Sequence, residues 1–420
     1  MKKTFCYAIL FLLVTLSVAK IPNSAPTDQG PDLDPNRELP GWGFAQRRSV
    51  ALNPENPLVL EYLRQNQDAA SHDHWLLSSQ EYRPGDNPAE LQGSTFNNAL
   101  VAMAFILKGE KERAERILDF YAHAADTANI DITLQNYYYK GQARGFYQYI
   151  HVSGSREGKA YHRMEKSRPD RWMGDMVWLL YGYKYYEQRY QSNKYQKISK
   201  LLLDLIKSYY EPVSAESGYI QSGWRKNDSY IHEATEKGHP EGNIDCYALF
   251  MLFGETDLAN KILNWLNARL AGQENLPLDL YSWRVQAFGR ESAKASRQLL
   301  DIPEYDLRYR KILTVKGNQV MGFYHGAEDK DNFWMDGIGQ MAVAYYTAGD
   351  MERGNFYANQ YDRLLIDVEI NGVKTKALPY VLDNTDSNYT WVDTTRGFIS
   401  ACAWYIFAKN RFNPMRLEQY

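Results

Sequence analysis

Residues 336–361 read DGIGQMAVAYYTAGDMERGNFYANQY, and the same plan recurs at 97–121 (NNALVAMAFILKGEKERAERILDFY) and at 243–266 (NIDCYALFMLFGETDLANKILNWL). Each stretch opens as an apolar run rich in small residues, breaks at a glycine followed by an acid, and resumes as an amphipathic run. The breaking glycines are Gly109, Gly254 and Gly349, and five residues after them stand Ala114, Ala259 and Gly354. A glycine ends a helix readily because it enters the left-handed conformation without a Cβ clash. The acid that follows stands at the positive end of the next helix, and the small residue lets the two helices approach closely. The three stretches are αα-hairpins of one design, and a repeat of this kind sets the architecture before any local detail does.

Working outward, residues 173–189 pair with 194–210 on the same plan. Residues 278–300 supply another hairpin, and 399–408 pair with a helix near 57–67 to close a ring. Five or six such hairpins account for the chain. The first helix of each clear hairpin is apolar all round, and the second keeps Lys, Arg and Glu on one face. That pattern places first helices inside and second helices outside. The expected fold class is therefore all-α, an (α/α)6 toroid. With the inner helices running in parallel, their N-termini and the loops before them converge on one mouth. The long aromatic, glycine-bearing segments 131–170, 218–241, 316–334 and 373–393 belong to that mouth.

The first nineteen residues carry Lys2 and Lys3, an apolar run from Ala8 to Val18, and a small-x-small Ser17-Val18-Ala19 site. This is the layout of a secretory signal peptide. A secreted or periplasmic protein is expected, with a signal over 1–19, a flexible leader over 20–40 and a single domain over 41–420. After cleavage no integral membrane span is expected, because no later run is apolar for long enough. Cys246 and Cys402 sit in apolar stretches and read as free buried thiols, although the exported setting permits a disulfide. No CxxC or HExxH occurs, so neither a metal nor another cofactor is expected. A net charge of -3 with both signs scattered disfavours nucleic acid as a partner. Nothing in the sequence sets the oligomeric state.

Aromatic residues make up 14% of the chain, with 33 tyrosines and 10 tryptophans. A core absorbs many of them, but Trp172, Trp224, Trp334 and Trp391 lie in polar loops beside acids, where a flat ring stacks on the apolar face of a sugar. The stretches EGNIDCYALF (241–250), DNFWMDGIGQMAVAYYTAGD (331–350) and ACAWYIFAKNRFNP (401–414) resemble the six-hairpin glycosidase superfamily. They are most similar to secreted members with E-x-N-x-D-x-Y and W-x-[ED]-G-x-x-Q motifs, over roughly 97–414. The resemblance implies a carbohydrate substrate and acids at the inner-helix N-termini or just before them. Hydrolysing a glycosidic bond by inversion needs an acid to protonate the leaving oxygen and a carboxylate to activate water.

On that basis Glu241 is the expected general acid and Asp336 the base, with Gln340 one turn beyond. Asp245 and Asp175 are expected sugar ligands, and Asn97 and Asn98 hold the matching place in the first hairpin. Glu241 is read as lying in a loop, with Asn243 as a possible helix cap. The family pattern has glutamate at 336, asparagine at 175 and aspartate at 97, so this chain departs from it at three positions. Gly337 and Gly339 at a helix start suggest a close approach of some neighbour. Asp393 either joins the mouth or caps locally with Thr394 and Thr395. Arg144, Arg225 and His325 are open to acidic sugar groups or to a surface role. Two other readings stay open. One is a polysaccharide lyase acting on uronic glycans through Tyr or His, for which the HGAED loop and the tyrosine run at 137–139 leave room. The other is a non-catalytic glycan-binding protein, which the Asn97 departure supports.

Overall fold

The glycine turns of the three repeats close as the sequence requires. Gly109, Gly254 and Gly349 have φ of +78°, +75° and +77°. At the first, the Gly109 amide donates to the Ile106 carbonyl (3.1 Å) and the Glu110 amide to that of Phe105 (2.8 Å). The other two turns repeat the pattern, with Glu255 bonded to Phe250 and Asp350 to Tyr345, each at 2.8 Å. These paired bonds satisfy carbonyls that a helix end otherwise leaves bare. The acids after the glycines divide in role. Only Asp350 caps, accepting from the Arg353 amide. Glu110 instead pairs with Arg64, and Glu255 with Lys207 at 2.6 Å, so two of the three tie one outer helix to the next.

The computed structural model describes residues 50–420, apart from 71–74, 84, 88–89, 126–137, 140–141, 144, 160, 162–169, 226–237, 290–292, 329–331 and 383–392. Twelve α-helices lie among the described residues. Five consecutive hairpins are α2 (Thr95–Leu107) with α3 (Lys111–Ala124), α4 (Met173–Tyr190) with α5 (Gln196–Ser208), α6 (Pro240–Leu252) with α7 (Thr256–Leu270), α8 (Leu278–Phe288) with α9 (Ala293–Tyr305), and α10 (Met335–Thr347) with α11 (Met351–Gln360). The sixth joins the chain ends: α12 (Ile399–Lys409) packs on α1 (Pro57–Ala70). The first helices form a closed inner ring in which α2 touches α4, then α6, α8, α10 and α12, and α12 returns to α2. The fold is the all-α (α/α)6 toroid expected from the repeat.

Burial follows from composition. Every residue of α10 is buried, whereas α3 buries only Ala114, Ile117, Leu118, Phe120, Tyr121 and Ala124. Large rings such as Trp178, Trp404, Tyr181 and Tyr345 are fully enclosed, each stabilising the fold by roughly 1.5–3 kcal/mol relative to exposure. The small residue of each hairpin sits in the contact. Ala114 and Ala259 are fully buried, and a Cβ on Gly354 would fall 2.3 Å from the Tyr346 ring.

Two regular strand hairpins run into stretches read from the sequence only as irregular mouth segments, the second strand of each lying within 316–334 or 373–393. Arg310–Val315 pairs with Asn318–Phe323 through a turn at Lys316-Gly317, and Ile366–Ile370 pairs with Val373–Ala377 through Asn371-Gly372. All four turn residues have positive φ, the requirement of a tight hairpin turn matched to strand twist. Cys246 and Cys402 are buried free thiols. One compact unit takes in Ser49–Tyr420. The expected signal, the leader and the start of the domain at 41 lie outside the described residues. Among the described residues no helix is long and apolar enough to cross a membrane.

Candidate functional site

Six inner-helix N-termini face one end of the ring, and each is anchored by extended chain. Gln92–Ser94, leading into α2, pairs with Tyr149–His151; Asp170–Trp172, leading into α4, pairs with Gly223–Arg225; Phe333–Trp334, leading into α10, pairs with Val381–Leu382. The α8 start is held by its Leu278 amide, which donates to the His325 carbonyl at 2.7 Å. At α12 the tie is a bridge between Gln80 and Phe398. In α2 and α6 an asparagine at the fourth helical position grips a neighbouring segment through both backbone groups. Asn98 accepts from the Leu77 amide (2.9 Å) and donates to its carbonyl (3.1 Å); Asn243 does the same with Ile220 (2.7 and 3.0 Å). A buried amide satisfied in this way fixes where the helix begins.

The anchored ends enclose a cavity of about 440 Å³, within the usual range for small-molecule sites. Its lining uses the same positions of successive inner helices. The residues just before α2, α4, α6, α10 and α12, namely Ser94, Trp172, His239, Trp334 and Phe398, all contribute, and of these Ser94 also caps its helix. So do first-turn residues: Asn97 from α2, Asp175 from α4, Glu241 from α6, Asp279 from α8 and Asp336 from α10. Asp245 and Gln340 enter from one turn deeper. Trp178 and Trp283 give an aromatic wall with ring centroids 5.4 Å apart, and Phe96 meets Trp178 edge-on at 5.3 Å.

The acids are deeply placed. Asp175, Asp245, Asp279 and Asp336 are 5%, 2%, 4% and 2% exposed. Glu241 keeps 37% of its side-chain surface open to the cavity, but it is surrounded by protein there. A helix N-terminus favours ionised carboxyls, yet burial in low dielectric disfavours them more strongly. Burial pushes the Glu241 carboxyl up to about 8, helped by the Asp279 charge and opposed by His325. Burial lifts Asp336 to about 7, with the Ser400 hydroxyl pulling it partly back. Asp245 is raised well above the carboxylate range by burial and by Glu241, and Asp175 by burial. Asp279 faces His325, with Oδ2 3.6 Å from Nε2, and the imidazole in turn meets Trp334 edge-on at 4.9 Å.

Of the residues singled out from sequence, Glu241, Asp336, Asp245, Asp175, Asn97, Gln340, Trp172, Trp334 and His325 come together on this cavity. Asn98 does not line it, because its amide is spent on Leu77 and the Ser94 carbonyl. Asp393 does not line it either; its carboxylate binds the Thr395 amide (2.8 Å) and hydroxyl (2.6 Å) and Arg396 (3.2 Å), the local capping alternative. Trp391 and Arg144 lie outside the described residues, as do the side chains of Trp224 and Arg225. Helix α6 starts earlier than expected, with Pro240 as its first residue. Proline is favoured there because its missing N–H would be unpaired anyway. Glu241 thus stands in the first turn rather than in a loop, and Asn243 is an anchor rather than a cap. The close approach at Gly337 and Gly339 is to the protein itself: a Cβ on Gly337 would meet Trp334 at 2.7 Å and Leu278 at 2.8 Å, and one on Gly339 would meet Tyr361 at 2.5 Å and Trp404 at 2.7 Å. Sequence reasoning missed Asp279, His239, Trp178 and Trp283 as lining residues. The run PLDLYSW at 277–283 offered a signal, a proline followed by an acid at a helix start.

No family model matches the sequence, and no curated protein resembles it closely enough to register. Solved structures do resemble the fold. Two glycosidase structures, one of a wild-type protein and one of a variant in complex with glucose, each superpose with a TM-score of 0.56 at 10% identity, covering 88% of this chain and 99% of the other. A bacterial glucoamylase complexed with acarbose matches with a TM-score of 0.52 at 12% identity, over 86% of this chain and 56% of that one. At such identities the likeness is one of architecture: this chain has the six-hairpin (α/α)6 fold that those glycosidases share.

Proposed function

We propose that the protein is an exported glycoside hydrolase that cleaves a polysaccharide or oligosaccharide with two carboxyl groups. The carrying observation is the cavity at the inner-helix N-termini, where tryptophans flank carboxyls that burial holds near neutral pKa. Where two titratable groups share a site, the higher pKa suits the proton donor and the lower one the acceptor. Glu241, at about 8, then protonates the leaving glycosidic oxygen. Asp336, at about 7, removes a proton from the attacking water. Asp245, Asp175, Asn97 and Gln340 take sugar hydroxyls, and Trp172 and Trp334 stack on the ring. Asp279 acts on Glu241 through its charge and helps to keep it protonated. Asn97, whose amide donates to the Ser79 hydroxyl at 3.1 Å, cannot serve as a base, so that role falls to Asp336. The glycosidase likeness of the fold supports this reading, and the N-terminal signal pattern supports export.

The test is product release from a panel of neutral, amino and acidic polysaccharides. New reducing ends without ultraviolet absorbance establish hydrolysis. Unsaturated, absorbing products identify a lyase and end the two-carboxyl account. Binding without turnover on the polysaccharide that binds identifies a non-catalytic glycan receptor.

A further inference from the structure

The cavity carries more acid than a two-carboxyl reaction uses. Asp175, Asp245 and Asp279 line it together with Glu241 and Asp336. Among the described lining residues, the groups able to bear positive charge are His239 and His325. Both imidazoles face carboxyls of the site. His325 Nε2 stands 3.6 Å from Asp279 Oδ2, and His239 Nδ1 stands 3.9 Å from Glu241 Oε2. The buried Arg171 guanidinium lies over the Tyr147 ring, 3.8 Å from its centroid, and is not part of the lining.

Asp175 Oδ2, Asp245 Oδ1 and Asp336 Oδ1 are buried with no hydrogen-bond partner among the described residues, whereas Asp279 has Oδ2 3.6 Å from the His325 imidazole. An ionised carboxylate in that state is strongly disfavoured, so such groups tend to hold protons. The upward displacement of Asp175 and Asp245 follows from this. Among the described lining residues, an incoming anion is offered only two imidazoles, each already facing a carboxyl. A ring bearing hydroxyls meets no such penalty. A ring bearing an ammonium group would let one of these carboxyls ionise and pair with it.

Resting on the reading of this cavity as a sugar site, we propose that the sugar it takes is uncharged or carries an ammonium group, and that uronic and sulfated sugars are excluded. The exclusion comes from charge and not from the outline of the pocket.

The experiment measures binding and not turnover, so absent hydrolysis would sink the proposed reaction and leave this inference standing. Methyl glycosides of the gluco, galacto and manno series, each as the neutral, 2-amino and uronic acid form, are titrated into the mature chain at pH 7 by calorimetry. In the series that binds, the uronate is expected to bind at least about 100-fold more weakly than its neutral counterpart, as like-charge contact predicts. The amino form should bind as well or better. In Asp279→Asn the gap between neutral and uronic forms should narrow by about tenfold, because one lining charge is gone at nearly constant volume. A uronate that binds as tightly as its neutral partner overturns the proposal. So does a gap that Asp279→Asn leaves unchanged, since shape would then be the cause. Failure of every neutral and amino form to bind up to the solubility limit overturns it as well.

Discussion

Replacing Asp336 with asparagine should stabilise the protein at alkaline pH and do little at acid pH. Asp336 is 2% exposed, and burial carries its carboxyl from 3.8 to about 7. An acid whose pKa is higher in the folded than in the unfolded state favours unfolding once the unfolded chain can ionise it. The stability associated with Asp336 is therefore intact below pH 4 and is lost as pH rises toward 7. At 1.36 kcal/mol per pH unit, a window of about three units gives a penalty of up to about 4 kcal/mol at pH 8. Local relaxation and water entry reduce such penalties, so about 2 kcal/mol is the working expectation. Asparagine has nearly the same shape and no proton to lose, so it removes the penalty. For a domain of this size the gain is roughly 3 °C in Tm at pH 8, with no gain at pH 4. Scanning calorimetry of wild type and Asp336→Asn at the two pH values measures it. An equal loss at both pH values, or no gain at pH 8, would refute the argument that burial holds a proton on this carboxyl. The acid/base role given to Asp336 would then lose its physical basis.

The pH dependence of kcat/KM should be a bell, rising as Asp336 loses its proton near pH 7 and falling as Glu241 loses its proton near pH 8. Activity that stays flat down to pH 5 contradicts this. Gly354→Ala places a Cβ 2.3 Å from the Tyr346 ring in a packed hairpin contact, and urea unfolding should show a loss of about 1–3 kcal/mol; an unchanged midpoint would mean that α10 and α11 yield there. Lys409 has a fully buried side chain paired with Asp362 at 2.8 Å, so Asp362→Ala should cost about 3 kcal/mol in the same assay. The double variant Asp362→Ala/Lys409→Met should recover part of that loss, and a purely additive double variant would show that the pair is uncoupled.

The toroid was legible because its turns are written in local chemistry. A glycine with an acid after it ends α2, α6 and α10, and those three hairpins fix the rhythm from which the other three follow. The strand hairpin at 366–377 was equally legible, since Asn371-Gly372 is a strong two-residue turn signal, but the helical repeat overshadowed it, and only its second strand fell within a mouth segment. The site was legible where an acid stands near the start of a clearly apolar helix, as with Asp336 and Asp175. It was misread where anchoring and ligand-facing side chains share a sequence context. Asn97 and Asn98 are adjacent, yet one lines the cavity and the other grips Leu77, a difference of about 100° around the helix that the local sequence does not label. Asp279 escaped because no glycine-acid turn marks its hairpin, and its helix starts behind Pro277 instead. The electrostatics were out of reach in principle, because they arise from five carboxyls brought together from four helices far apart in the chain.

The central claim is that Glu241 protonates the leaving oxygen, and the most direct test varies how much protonation the leaving group needs. Wild type and Glu241→Gln are compared on the natural oligosaccharide and on the glycosyl fluoride of the same sugar, whose fluoride departs with little help from an acid. The account predicts a loss on the order of 100-fold or more for the oligosaccharide and less than about tenfold for the fluoride. Equal losses on both substrates would contradict it, because Glu241 would then be serving the sugar or the water rather than the leaving group.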